Sequence, residues 1–254
     1  MKSYTYKAGK EKKEFSEIPE FKQEKEVSII LPTYNEEGGI KRMIESIGEV
    51  LKGKYDYEIV IVDDASKDNT PEIIDSYDGD EVAALHRHNI KGIFSALHDG
   101  VKAARSNIVV IMDADFSHPP AKISEMLTYI KEADIVSCSR FAKGAGLEMP
   151  AFKKLATFSL NSCLRLILGF KITDFTGGFH AMKRDKFLAL SFKYPSVWGE
   201  FDMELFYRAQ KRGYVIKEIP FIYRYREEGK SKSESYIKYA FVYWKRALQL
   251  KLIG

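Results

Sequence analysis

The sequence predicts an α/β protein: a doubly wound, mostly parallel sheet with flanking helices, followed by amphipathic helices toward the C-terminus. Three observations carry this. Apolar runs without polar alternation recur as VSIILP (27–32), EIVIV (58–62) and IVVIM (108–112), the pattern of strands buried on both faces. Stretches with helical apolar spacing separate them, as a parallel sheet requires. Polar clusters stand at the carboxyl ends of the three runs, at 32–36, 63–70 and 113–120. Open α/β sheets bind their ligands beyond those ends.

Taken in order, residues 1–26 alternate Lys and Glu with few aliphatics and read as a mobile arm or a short amphipathic cover. The principal domain is expected over 27–232. The first strand ends where Pro32 cannot continue the ladder. A helix over 36–52 places Ile40, Met43, Ile44, Ile47, Val50 and Leu51 on one face. The strand 58–62 leads into a polar turn, DDASKDNT, and a helix over 71–77. Pro71 suits its first turn, where the missing N–H is not needed. A strand over 82–86, a helix over 92–104 and the strand 108–112 repeat the pattern. The second half is more helical. Residues 152–170 carry a stripe of Phe152, Leu155, Ala156, Leu160, Cys163, Leu164 and Ile167. Residues 201–211 form another helix. The segment 233–254 is expected as a C-terminal amphipathic helix, with Ile237, Ala240, Phe241, Trp244, Ala247 and Leu248 aligned over 236–250.

With 254 residues, 45% of them hydrophobic, the chain can bury a full core. A net charge of +4 demands no nucleic acid as partner. The charge is uneven, however: residues 208–254 hold twelve Lys and Arg against four acids. That basic excess suits phosphates or an anionic membrane surface. The two cysteines, Cys138 and Cys163, have neither metal-site nor redox spacing, which fits a reducing compartment. No signal-peptide pattern opens the chain, and no apolar run approaches the ~18–20 residues of a membrane span. A cytoplasmic, non-spanning protein is the expectation.

Asp113 and Asp115 directly follow the third apolar run. Two carboxylates two residues apart at a strand end can both reach one hard cation, leaving positions open for phosphate oxygens and water. The plainer reading is a polar turn that caps the following helix. A diphosphate leaving group explains the pair better, because a cation bridging its phosphates stabilises the negative charge that develops there.

Six motifs occur in sequence: LPTYNE (31–36), VDDASKDNT (62–70), MDADFSHPP (112–120), SRF (139–141), TGGFHAMKRD (176–185) and REEGKSK (226–232). In this order and spacing they resemble the family 2 inverting glycosyltransferases of GT-A fold. The nearest branch in pattern is that of dolichyl-phosphate mannosyltransferases and other polyprenyl-phosphate glycosyltransferases. The resemblance covers 27–232. It implies that Pro32, Tyr34 and Glu36 line a nucleoside pocket, and that Val62 and Asp64 contact the base. It implies that Asp113 and Asp115 hold Mg²⁺ or Mn²⁺ with Ser117 as third contact, Ala114 lying between them against the donor. It brings Arg140 to the donor, and makes Arg226 and Lys232 the clamp for an acceptor phosphate. The sequence departs from the family pattern at Ser117, where Gln is common, at His180, where Arg is usual, and at Glu200, where Lys is expected.

Two enzymatic readings stay open. In one, sugar passes from a nucleotide-diphosphate donor, such as GDP-mannose or a UDP-sugar, to a polyprenyl or dolichyl phosphate. In the other it passes to a glycan hydroxyl, with Asp202 (or Glu200) as base; Asp202 alternatively caps the helix 203–211. A third reading, a silent nucleotide-binding scaffold, sits badly with the intact Asp113 and Asp115. The amphipathic helices fit peripheral contact at the inner face of the cell membrane, with Lys153, Lys154, Arg165, Lys238, Lys245 and Arg246 off the apolar stripe. The same stripes fit packing on the sheet or a homo-oligomer interface.

Overall fold

The computed structural model describes residues 2–192, 200–224 and 236–253. In chain order its strands are β1 (Ser3–Ala8), β2 (Glu11–Phe15), β3 (Val27–Thr33), β4 (Tyr57–Asp63), β5 (Val82–His88), β6 (Ile108–Ile111), β7 (Ile135–Ser139), β8 (Gly146–Glu148), β9 (His180–Lys183), β10 (Ile216–Pro220) and β11 (Ile222–Arg224). The helices are α1 (Ile40–Leu51), α2 (Thr70–Asp75), α3 (Ile93–Ala103), α4 (Lys122–Tyr129), α5 (Ala151–Leu168), α6 (Arg184–Ala189), α7 (Phe201–Lys211) and α8 (Tyr236–Ile253).

Nine strands make one sheet, ordered β10-β7-β9-β6-β3-β4-β5-β1-β2. At its centre β6, β3, β4 and β5 run parallel. The uninterrupted apolar runs are explained by burial on both faces. Val27, Ile29, Leu31, Ile59 and Ile61 pack with Ile40, Met43, Ile44, Ile47 and Leu51 of α1 on one side. Ile30, Val60 and Val62 face Ala96, Leu97 and Val101 of α3 on the other. Helix α3 lies so close that a Cβ on Gly100 would stand 2.6 Å from Ile30 and 2.8 Å from Val62.

Several elements depart from the sequence expectation. Residues 1–26 are not a mobile arm over their described part: β1 and β2 form a hairpin, and β1 pairs antiparallel with β5 at the sheet edge. Burial of Tyr4 and Tyr6 fixes it there. Strand β3 runs past Pro32 to Thr33, in register with Asp63. Because β6 flanks β3 only as far as Ile30, a residue without an N–H is tolerated beyond that point. The antiparallel β9 slots between β6 and β7 and brings His180 into the sheet.

The apolar stripes of α5 and α8 also divide differently. The two helices pack against each other, α5 turning Leu160, Asn161, Leu164 and Leu168 inward. Helix α8 buries Tyr243, Ala247 and Leu250, and Arg246 with them. Phe152, Leu155 and Phe158 of α5 stay exposed, as do Phe241, Trp244 and Leu248 of α8. The side chain of Ile237 is outside the described set. Among the described residues no helix is long and apolar enough to cross a membrane.

Candidate active site

The carboxyl ends of β3, β4, β5 and β6 each lead into a turn containing a residue in the left-handed conformation. These are Asn35 (φ 55°), Ala65 (φ 56°), Asn89 (φ 59°) and Phe116 (φ 62°), the non-glycines at positive φ among the described residues. Such a backbone costs roughly 1–2 kcal/mol for a residue like Ala or Phe and persists only where neighbours enforce it. Here they do. The Asn35 N–H donates to Ser66 Oγ at 2.9 Å, and Lys67 N–H donates to Asn35 Oδ1 at 2.8 Å, knitting the first two turns together. Glu36 N–H donates to Thr70 Oγ1 at 2.9 Å. The Arg42 guanidinium lies 4.3 Å above the Phe116 ring. Between the turns after β3, β4 and β6 opens a cleft of about 190 Å³ whose walls include Glu36, Arg42, Asp68, Ala114, Asp115 and Phe116.

The expected nucleoside-side residues fall into two groups. Tyr34, with the Lys91 ammonium 5.2 Å above its ring, and the half-buried Pro32 and Glu36 reach the surface at the end of β3. Val62 is fully buried. Its side chain packs against α3 beside Gly100. Asp64 is engaged within the protein: the buried Arg87 donates to its Oδ1, and Gly92 N–H donates to Oδ2 at 3.0 Å. Burial pushes the Asp64 carboxyl up, while Arg87 and the Gly92 amide pull it back. Arg87 in turn pairs with Asp99 at 3.1 Å.

Asp113 and Asp115 both stand in the turn after β6, the Asp113 side chain 47% exposed, Ala114 buried between them and Asp115 on the wall of the cleft. Ser117 does not reach the cleft as a third contact: it is 1% exposed and meets Asp115 through its N–H, 3.1 Å from Oδ1. Among the described residues no cluster of three or more His, Cys, Asp and Glu is placed to hold a metal. Two hard carboxylate donors in one turn, one of them on the cleft wall, fit Mg²⁺ or Mn²⁺, which take few protein ligands and fill the rest of the shell from phosphate and water. Asp113 and Asp115 would be the residues that hold it.

His118 was not singled out from the sequence, since one histidine before a Pro pair carries no chemical signal. It is 1% exposed and stacks on Phe179 at 4.9 Å and 11°. Its Nδ1 accepts the Asp113 N–H at 2.9 Å. Burial, aided by the Arg140 charge and opposed by Asp115, pushes its pKa down to about 4, so the ring is neutral.

On the other side of the site, Arg140 does not reach toward a donor. It is buried and forks Asp174 with two bonds of 2.7 Å. That pairing outweighs burial and holds the Asp174 carboxyl below its ordinary range. Asp174 is a second residue without a sequence signal. Asp202 is 3% exposed, and both its oxygens are engaged: Gly178 N–H donates to Oδ2 at 2.8 Å, and His180 Nε2 lies 3.0 Å from Oδ1. Asp202 therefore fastens the Gly177–Gly178 turn to the first turn of α7. Glu200 and Glu204 of the same region meet Arg246 of α8 at 3.5 and 3.3 Å, so the cation expected on the membrane side of α8 points into the protein. Arg226, Lys230 and Lys232 lie outside the described residues.

The sequence profile of the family described as Glycosyl transferase family 2 matches residues 28–190. A dolichol-phosphate mannosyltransferase of Pyrococcus furiosus is 33% identical over 215 residues, which are 81% of this chain and 58% of that protein. The chain thus spans little more than half of that relative. An undecaprenyl-phosphate mannosyltransferase of Micrococcus luteus is 30% identical over 81% of this chain and 86% of its own length. Among solved structures, glucosyl-3-phosphoglycerate synthase of Mycobacterium tuberculosis with Mn²⁺, UDP and glucosyl-3-phosphoglycerate superposes with a TM-score of 0.66. It is 19% identical, over 90% of this chain and 79% of that one, a likeness of fold alone.

Proposed function

Because this chain belongs to glycosyl transferase family 2, we propose that it moves a sugar from a nucleoside-diphosphate donor to a polyprenyl phosphate at the membrane surface. The donor is of the GDP-mannose or UDP-sugar type, and Asp113 and Asp115 hold its divalent cation, Mg²⁺ or Mn²⁺. When bound, that cation offsets the charge gathering on the diphosphate as the bond to the sugar breaks.

The observation that carries the acceptor assignment is the state of Asp202. A sugar hydroxyl needs a carboxylate base within reach. Asp202, the candidate for that task, is buried with both oxygens accepting protein hydrogen bonds. A phosphate monoester is largely ionised near neutral pH and attacks without losing a proton to the protein. Arg226 and Lys232 supply the clamp in this reading. The exposed apolar residues of α5 and α8, with the exposed Lys154, Arg165, Lys238 and Lys245 nearby in sequence, suit an anionic membrane interface where such a lipid resides.

The test is release of nucleoside diphosphate from a panel of nucleotide sugars with Mn²⁺ or Mg²⁺, with and without a polyprenyl phosphate. The lipid phosphate should accelerate release far more than soluble glycans do, and the reverse order would sink the acceptor assignment. Asp115→Ala should cost about 100-fold or more in turnover, the scale of losing a principal transition-state charge stabiliser. Near-normal activity in that variant would remove the metal from the account.

A further inference from the structure

The turn from Asp113 to Phe116 has no ladder or helix of its own to hold it, and Phe116 sits in a left-handed conformation. The placement of its two carboxylates therefore depends on contacts from outside the turn. Resting on the metal assignment above, we infer that His118 is the positioning residue of this turn, its Nδ1 holding the Asp113 amide so that Asp113 is set toward Asp115.

Three features support this. The contact is aimed: a 2.9 Å hydrogen bond joins the amide of one carboxylate residue to one ring nitrogen. The ring plane is fixed independently of the turn, stacked on Phe179 and met edge-on by Phe221 at 6.1 Å and 70°. The opposite edge of the ring faces the Gly177 carbonyl, with Nε2 4.0 Å from Asp113 Oδ2.

The residue after that carbonyl shows why the bracket is tight. Gly178 has φ 69°, and a Cβ there would lie 3.3 Å from His118 Cε1. Its N–H is bound by Asp202, whose other oxygen faces His180, which in turn meets Ser137 Oγ at 3.2 Å. A continuous set of contacts thus runs from the first turn of α7 through the Gly177–Gly178 turn and His118 to the amide of Asp113. The substitution at His180, where the family pattern has Arg, falls inside this chain.

Two substitutions separate positioning from packing. His118→Phe keeps a ring against Phe179 and removes the acceptor. His118→Asn removes the ring but places a carbonyl oxygen near the position of Nδ1. If His118 positions the turn, the Phe variant should bind Mn²⁺, titrated by calorimetry or electron paramagnetic resonance in the presence of GDP or UDP, about 10–100-fold more weakly than wild type, the scale of losing an outer-sphere partner. The Asn variant should lie between the two. If His118 only packs, the order of the two variants inverts, and the inference fails. Asp115→Ala is the control: equal Mn²⁺ binding by it and by wild type would overturn the metal assignment and not the role of His118. Should either variant fail to fold, the ¹⁵N shifts of His118 in the wild-type protein decide. An unprotonated Nδ1 is required, and a protonated Nδ1 overturns the inference.

Discussion

His86 shows how much the strand ends of β4 and β5 depend on single charges. It lies between two carboxylates, Nε2 2.9 Å from Asp75 Oδ1 and Nδ1 3.5 Å from Asp63 Oδ2, at 9% side-chain exposure. Burial alone pulls its pKa down, but the two carboxylates outweigh burial and hold it above 6.5. Asp75 is correspondingly lowered, by His86 and Lys12 against its own burial. A histidine raised in the folded state stabilises the protein fully below its unfolded pKa, and the effect is lost as pH rises through the folded value. Asp75 works the other way, losing its contribution as pH falls through its lowered value. His86→Gln should therefore cost about 1.5–3 kcal/mol near pH 6, the scale of a hydrogen bond to a charged group, and less near pH 9. Equal losses at both pH values in denaturant unfolding would refute a charged His86. Asp113 and Asp115 can be proposed from sequence alone because a carboxylate pair at a strand end has a local meaning. His118, Asp174 and Arg87 were not, because each acts through a partner that only the tertiary fold brings near: Asp174 meets Arg140 across 34 positions.

At the scale of elements, the parallel strands were readable because burial on both faces leaves an apolar run with nothing else to be. The edge hairpin was not, since β2 is charged along most of its length and only Tyr4 and Tyr6 of β1 betray an inner face. Strand β9 is four residues long, too short for a period to register. Helices α5 and α8 give the most instructive error. Helical spacing announces an apolar side but not which neighbour takes it, and each helix has two. In α8, Tyr243, Ala247 and Leu250 pack inward while Phe241, Trp244 and Leu248 are 66%, 50% and 51% exposed. Burying one such side chain is worth about 1.5–3 kcal/mol. Changing Phe241, Trp244 and Leu248 together to Ser should then weaken binding to vesicles containing anionic lipid by at least about tenfold, with the melting temperature little altered. Vesicle binding that survives the triple change would count against α8 as the membrane-facing element.

At the scale of the whole molecule, buried charge as well as apolar contact fastens the elements of the second half to one another. Arg140 and Asp174 close the strand end of β7 against the segment before β9. Arg246 closes α8 against α7, reaching Glu204 at 3.3 Å and Glu200 at 3.5 Å from a side chain 9% exposed, against carboxylates 3% and 1% exposed. Two buried carboxylates at the start of α7, Glu200 just before it and Glu204 within it, repel unless cations meet them. Arg208 meets Glu204 at 2.7 Å, and Arg246 bridges to both. Removing one partner of such a cluster leaves charge buried without full compensation, which costs about 3–5 kcal/mol where the geometry is tight. These contacts are longer, so the lower figure applies. Arg246→Met keeps the aliphatic bulk and should lower the melting temperature by roughly 6–12 °C, taking ~2–4 °C per kcal/mol for a chain of this size. Glu200→Gln combined with Arg246→Met should recover part of that loss, because the carboxylate left behind is then neutral. An unchanged melting temperature in Arg246→Met would mean that α8 is held by Tyr243, Ala247 and Leu250 alone, and that the charge cluster contributes nothing to holding α8 on α7.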